Sequence, residues 1–286
     1  MRIFAAAGSI IVVAAIVLTF VLIKLNAKTT PTGSSLSNGH ADAAPAAVVD
    51  KVTSVPARTL NTVGSGAFTG RIQTIIGNPA PLTANGKPEL LYIGAEFCPY
   101  CAAERWAMIV ALSRFGTFSG LATVRSAVSD GAGSQEPYPD TATFTFVHAT
   151  YTSKYLAFSE VELYTNIPDT STGGYTALQT FTSAELALLR KYDAPPYVDS
   201  AAAGSIPFLD FGNKYVSIGA SYSPQVLFGL SWSTIATDLS NPDSTVAKSV
   251  DGTANYITAA ICSMTGNQPS SACTTTALSL QTQLRS

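Results

Sequence analysis

Hydrophobic and polar positions along this chain follow two different periods, and together they predict a mixed α/β protein. Runs rich in β-branched and aromatic residues predict strands, at 68–76, 89–97, 121–128, 143–151 and 155–163. Apolar residues at helical spacing predict helices, from about 99 to near 116 and over 182–192, 224–239 and 245–264. Strands and helices that alternate in this way are typical of the α/β class.

Local turn and cap residues mark where several of these elements begin and end. Asn85-Gly86 is a turn signal before the strand at 89–97. Gly212-Asn213 separates two short apolar runs, 206–211 and 214–218, and predicts a β-hairpin. Thr182 and Glu185 have the spacing of a capping box, so a helix is expected to begin there.

The N-terminus carries a long apolar stretch, Ile3–Ile23, with no charged residue. As a helix its roughly 21 residues span about 31 Å, enough to cross a bilayer. We therefore predict a transmembrane anchor at 1–25, with a cleaved signal peptide as the alternative. Residues 26–50 are rich in proline, glycine and serine and predict a flexible linker, followed by a folded domain at 51–286.

Composition narrows the classes of function. Hydrophobic residues make up 47% of the chain, which is enough for a sizeable core. Charged residues make up only 12% and the formal net charge is −2, which argues against a nucleic-acid partner. The two histidines, His40 in the linker and His148 inside a predicted strand, are expected to be structural. No cofactor or metal is expected.

The segment Cys98-Pro99-Tyr100-Cys101 is the main candidate for chemistry. It lies between a predicted strand and a predicted helix, the context in which two cysteines separated by two residues form a redox pair. At a helix N-terminus, unpaired N–H groups and the macrodipole favour a thiolate. Cys98 is therefore the expected nucleophile, and Cys101, one turn further on, is the expected resolving thiol.

A second, more widely spaced pair, Cys262 and Cys273, brings the number of cysteines to four. An even number suggests an oxidising compartment, so we place the domain outside the cytoplasm. Cys262 and Cys273 are expected to form a structural disulfide. The alternatives are a second redox pair that relays electrons to Cys98 and Cys101, and a zinc site of four cysteines.

The strand, the CPYC helix, the hairpin containing Pro207 and a C-terminal helix resemble the thioredoxin superfamily. The resemblance implies a thioredoxin-like fold in which Pro207 follows a cis peptide bond with Ile206 and lies against the redox pair. Cys101 and Pro207 are about 106 positions apart, more than the resemblance requires. An insertion of strands and a helix is therefore expected between the CxxC helix and the hairpin.

More closely, the string at 94–106, GAEFCPYCAAERW, resembles a family of membrane-anchored thioredoxin-like proteins from archaea and actinobacteria. Thioredoxin carries a buried acid, a proposed proton acceptor for the resolving cysteine, where this chain has Tyr92. Another group must then take that proton, and Glu96 is the candidate. The alternative for Glu96 is a solvated charge at the rim of the site.

These features predict a single-pass membrane protein whose extracytoplasmic domain exchanges thiols and disulfides. Its expected partners are exported proteins that contain cysteine, a redox partner, and the membrane through the N-terminal helix. Two other functions remain open at this stage. One is a redox-inert thioredoxin-like binding or scaffold module. The other is a chaperone for a soft metal ion such as Cu(I).

Overall fold

The computed structural model describes residues 41–285, and these form a mixed α/β structure, as the sequence predicts. The strands are β1 Asp42–Ala43, β2 Ile72–Thr74, β3 Thr83–Ala84, β4 Lys87–Gly94, β5 Gly116–Ser119, β6 Ala122–Arg125, β7 Ala142–Thr145, β8 Thr150–Ser153, β9 Ala157–Glu162, β10 Tyr164–Asp169, β11 Gly174–Ala177, β12 Phe208–Phe211 and β13 Tyr215–Ile218. The α-helices are α1 Ala46–Thr53, α2 Ala57–Val63, α3 Pro99–Leu112, α4 Ser183–Tyr192, α5 Trp232–Asp238, α6 Thr245–Met264 and α7 Thr275–Gln281.

Strand β4 lies in the middle of the main sheet and leads directly into the CPYC segment. On one side it pairs antiparallel with β12, which continues to β13 and then β2. On the other side it pairs parallel with β9 and, at its first two residues, antiparallel with β3. Its residues Leu90 to Ile93 are buried, because a central strand covered on both faces must be apolar throughout.

The chain between α3 and β9 forms smaller sheets beside the main one. β6 pairs with β1 and β7, and β5 pairs with β8. The first strand after the CPYC helix therefore joins a separate sheet, and the parallel neighbour of β4 comes only at 157–162. A hairpin of β10 and β11, which the sequence pattern does not predict, follows β9.

Helix α3 is buried on almost every side, because it packs against α6 and against β7. Its sequence has no polar stripe, as expected for a helix without a solvent face. Trp106 has no exposed surface, and its indole N–H donates to the carbonyl oxygen of Ala142 at 2.9 Å. These contacts fix the helix that begins at the cysteine pair.

Turns and caps appear where the sequence predicts them. Asn85 and Gly86 have left-handed φ angles of 52° and 71° in the turn between β3 and β4. The capping box at the start of α4 is complete, since Thr182 Oγ1 accepts from the Glu185 N–H at 3.2 Å and Glu185 Oε2 accepts from the Thr182 N–H at 2.6 Å. The β12–β13 hairpin and the 245–264 helix are also confirmed.

Other predicted elements differ from the structure. The strand expected at 68–76 is limited to 72–74, and the one expected at 143–151 is divided into β7 and β8. His148 was predicted inside a strand, but it is exposed in the turn between β7 and β8, with φ of 65°. A left-handed backbone cannot continue a strand, which explains the division.

The structure describes only part of the N-terminal region for which the sequence makes predictions. The expected anchor at 1–25 lies outside the described residues. Within the expected linker at 26–50, β1 pairs with β6, and α1 begins at Ala46 and buries Val48 and Val52. The ordered chain therefore begins before residue 51. Within 41–285, no helix is long and apolar enough to cross a membrane.

Candidate functional site

Cys98 is the N-cap residue of α3, and its side chain caps the helix. Its Sγ accepts a hydrogen bond from the backbone N–H of Cys101 at 3.3 Å, and Pro99 occupies the first turn. Proline is favoured there because its missing N–H would have no helical partner. The sulfur thus lies at the positive end of the helix dipole.

Cys98 and Cys101 are both free thiols and both are buried, with 1% and 0% of their surface exposed. Burial raises the pKa of the Cys101 thiol well above its ordinary value, and the adjacent Cys98 raises it further. The guanidinium of Arg105 acts in the opposite direction. Ionisation of Cys101 therefore depends on the charged groups around it.

Pro207 lies next to the cysteine pair, although 108 positions separate Cys98 from Ile206. The Cys98 thiol points at the carbonyl oxygen of Ile206, with the sulfur 3.9 Å from the oxygen. The Ile206–Pro207 peptide bond is cis. The proximity follows from strand pairing, because Phe208 is opposite Ile93 where β12 lies against β4.

A buried ion pair interacts electrostatically with Cys101. Arg105, on α3, donates to Glu162, at the end of β9, through Nε at 2.8 Å and Nη2 at 3.0 Å. Nη2 also donates to the carbonyl oxygen of Ala95 at 2.6 Å. Neither side chain of the pair has any exposed surface, so each charge depends on the other for compensation.

Two hydrogen-bond donors on residues that interact electrostatically with each other lack a partner within the described structure. They are the hydroxyl of Tyr92 and Nη1 of Arg105, and both atoms are buried. Tyr92 lies within electrostatic range of Arg105, Glu162 and both cysteines. Its hydroxyl passes over Gly94, where a Cβ would overlap the oxygen, so glycine at 94 makes room for it.

Glu96 is buried, with 3% of its surface exposed, and is not a solvated charge at the rim. Burial raises the pKa of its carboxyl to about 7, and Glu162 raises it as well, while a hydrogen bond with Thr145 and the charge of Arg105 lower it. These groups place Glu96 next to the ion pair. The charged side chains that shift the pKa of Cys101 are Arg105, which lowers it, and Glu162, which raises it.

Aromatic side chains surround the cysteines on the outer side. Phe97 stacks on Tyr175 with centroids 4.0 Å apart, and Tyr175 donates to Glu136. Tyr100, half-buried within the motif, makes an edge contact with Tyr138 from the loop at 131–140. This loop and the β10–β11 hairpin therefore form a wall beside Cys98.

Cys262 and Cys273 form a disulfide that joins the end of α6 to the segment before α7, with Cα atoms 5.6 Å apart. It belongs to the hydrophobic cluster that contains Trp106, whereas Cys98 and Cys101 belong to a different cluster. Within residues 41–285, no group of three or more His, Cys, Asp or Glu side chains is arranged to hold a metal ion.

Sequence reasoning identified both cysteines, Pro207 and Glu96 but did not assign a role to Arg105 or Glu162. Arg105 lies four residues after Cys101, a spacing that places both on one face of a helix. That spacing could have identified Arg105 as a neighbour of Cys101. No sequence pattern could have identified Glu162, because its position depends on the parallel pairing of β9 with β4.

Comparison with protein families gave one match: residues 74–263 fit the model of a family described as a domain of unknown function, DUF929. The matched range contains β4, the CPYC segment, both members of the ion pair and Pro207. It ends one residue after Cys262 and so leaves out Cys273. Searches of curated proteins and of solved structures found no match.

Proposed function

We propose that the chain, which belongs to the DUF929 family, is a membrane-anchored, extracytoplasmic thiol-disulfide oxidoreductase. The observation that carries the proposal is the surrounding of Cys98. Its sulfur caps α3, faces the Ile206 carbonyl oxygen, and lies one turn before a second free thiol. A dithiol at a helix N-terminus is the arrangement in which cysteine exchanges disulfides.

We also propose that the fold is thioredoxin-like with an insertion. The order β9, β4, β12, β13 supports this, with β9 parallel and β12 antiparallel to the strand before the dithiol. Helix α3 follows β4, and α6 follows β13 and packs on α3. The segment from β5 to β8 is then the insertion, inside the region between α3 and Pro207.

In the proposed reaction the reduced dithiol reduces a disulfide of a partner protein. The Cys98 thiolate attacks one sulfur of that disulfide, forms a mixed disulfide and releases the other partner sulfur as a thiolate. Cys101 then attacks Cys98, so that the Cys98–Cys101 bond forms and the second partner sulfur leaves. Two electrons pass to the partner, and the reverse sequence oxidises a partner dithiol.

The other residues have supporting roles in this reaction. Pro207 and the Ile206 carbonyl form the side of the groove that a partner chain meets. The Phe97–Tyr175 stack and Tyr138 form the opposite wall. The expected partners are cysteine-containing exported proteins and a redox partner that resets the dithiol, and the N-terminal segment holds the domain at the outer surface of the membrane.

Substitution of the two cysteines tests the proposal in the full-length chain. We expect Cys98→Ala to abolish exchange with a model disulfide protein, and Cys101→Ala to accumulate a mixed disulfide through Cys98, seen by mass spectrometry. The matched control is the double variant Cys262→Ala/Cys273→Ala, which should retain exchange. Exchange that persists in both single variants contradicts the proposal.

The reduction potential of the pair separates this function from a redox-inert module, which the burial of both thiols would suit. Titration in glutathione buffers, with alkylated cysteines mapped by mass spectrometry, should give a value between about −100 and −250 mV. A pair that remains oxidised below about −300 mV would favour the inert module.

A further inference from the structure

Two buried donors without an acceptor belong to residues that interact electrostatically with Cys101. The Tyr92 hydroxyl and Nη1 of Arg105 both lack a hydrogen-bond partner in the described part of the chain, and neither residue has any exposed surface. A buried donor left unpaired is costly, and proteins keep few of them. These two donors are therefore available to bind an acceptor that forms near them.

Both donors are fixed in position by neighbouring structure. Arg105 is on the same face of α3 as Cys101, one turn further on, and its Nε and Nη2 are held by Glu162 and Ala95. Tyr92 is fixed on the central strand, with its hydroxyl over Gly94. Only Nη1 of the guanidinium is left free to bind another group.

The acceptor that appears during the proposed reaction is the sulfur of Cys101. The charged and titratable groups that face it are Cys98 and Arg105 from α3 and Glu162 from β9, and Tyr92 of β4 lies in range of both. A thiol is a weak acceptor, whereas a thiolate accepts strong, charge-assisted hydrogen bonds. The dithiol form therefore leaves the donors unpaired, and ionisation of Cys101 supplies their partner.

We infer that Tyr92 and Arg105 form a binding site for the thiolate of Cys101. The inference rests on the proposed function. In the resolving step the Cys101 S–H bond breaks and its proton passes to solvent. The thiolate, held by the two donors, forms a bond to Cys98, and the partner sulfur leaves with the electrons of the broken S–S bond.

The test measures Cys101 directly and does not need exchange activity. In the Cys98→Ala background Cys101 is the one free thiol of the chain. Its alkylation by iodoacetamide is followed against pH, with the site mapped by mass spectrometry. Tyr92→Phe removes only the hydroxyl, and should move the midpoint of alkylation upward by about one pH unit.

Tyr192→Phe is the matched control. Tyr192, on α4, is also fully buried, its hydroxyl also lacks a partner in the described chain, and it belongs to the same hydrophobic cluster as the two cysteines, whereas the groups that act on Cys101 are Cys98, Arg105 and Glu162. This control should leave the midpoint unchanged. Arg105→Lys keeps the positive charge and loses the guanidinium fork, so it should raise the midpoint as well. Thermal unfolding of each variant shows that the comparison is made on folded protein.

The outcomes separate the two proposals. With Cys98 present, Tyr92→Phe should also slow release of a glutathione mixed disulfide about tenfold, as expected for a shift of about one pH unit. An unchanged midpoint in Tyr92→Phe, or an equal shift in Tyr192→Phe, overturns the inference and leaves the exchange function standing. If instead the parent chain performs no exchange while the midpoint shifts, the exchange function fails and the thiolate site remains.

Discussion

At the scale of single residues, the Arg105–Glu162 ion pair has a large desolvation cost, because both side chains are fully buried. Each side chain has lost its water completely, and three hydrogen bonds replace it on the arginine. A buried ion pair of this kind adds little stability compared with an apolar pair, but removal of one member leaves a bare charge. Its presence near the Cys98–Cys101 dithiol therefore agrees better with the proposed role in chemistry than with a role in stability.

Single and double substitutions of the pair should behave differently. We expect Arg105→Met or Glu162→Leu alone to lower the free energy of unfolding by about 3–5 kcal/mol. The double variant Arg105→Met/Glu162→Leu should recover most of that loss but should exchange disulfides slowly. Urea unfolding and an exchange assay on the same preparations measure both effects. A double variant with parental exchange would show that the pair has no part in the reaction.

The residues of the site differ in how far sequence predicts them. The sequence predicts Cys98 and Cys101 as site residues, because a helix start and two thiols occur within four positions. The burial of Glu96 could not be foreseen, since the groups that surround it, Thr145 and Glu162, come from other strands. The burial of a residue depends on distant parts of the chain, so the spacing of neighbouring residues does not predict it.

At the scale of secondary-structure elements, the disulfide ties two C-terminal helices together. Helix α6 packs on the CPYC helix and also on α7, and Cys262 and Cys273 close the chain between α6 and α7. Both sulfurs lie in buried residues of the larger hydrophobic cluster. The crosslink thus supports the layer behind α3, away from the cluster that contains the dithiol.

Loss of this crosslink should affect stability and leave chemistry intact. The cysteines are 11 positions apart, and closing a loop of that size contributes about 2–3 kcal/mol through the unfolded chain. We expect Cys262→Ala/Cys273→Ala to lower the free energy of unfolding by about that amount, measured with urea. Exchange at Cys98 should continue, and its loss would indicate an electron relay instead.

The elements that sequence predicted well are those with local causes. The β12–β13 hairpin, the capping box of α4 and the whole of α6 follow from residues within a few positions of each other. The pairing of β4 with β9 was not predicted, since Glu89 is opposite Ala157 and no short-range signal connects them. The β10–β11 hairpin was also missed, because Pro168 within β10 is unusual for a strand.

At the scale of the whole molecule, several carboxyl groups are buried, or half-buried in the case of Glu160, although charged residues are few. Burial raises the pKa of each of them to about 7 or, for Asp251, about 8; they are Glu96, Glu104, Glu160, Asp193, Asp210 and Asp251. Asp251 has no exposed surface and neither carboxyl oxygen has a partner in the described chain. The folded state therefore holds these groups most readily as neutral acids.

Stability should consequently fall as the solution becomes neutral. Because the folded-state pKa values exceed the ordinary values of 3.8 and 4.5, these groups stabilise the fold fully below about pH 4, and this is lost as pH rises towards 7 or 8. We expect the urea-unfolding free energy to be higher at pH 5 than at pH 8. Asp251→Asn should reduce this dependence, and a parental slope would contradict the assignment.

The burial of the dithiol has a consequence for the rate of the proposed exchange with partner proteins. A foreign sulfur must come within bonding distance of Cys98, yet only 1% of that residue is exposed. The aromatic wall and the Pro207 segment must separate before each encounter, so opening precedes chemistry. At high partner concentration the opening step, and not collision, sets the speed, so different partners reach the same maximum turnover.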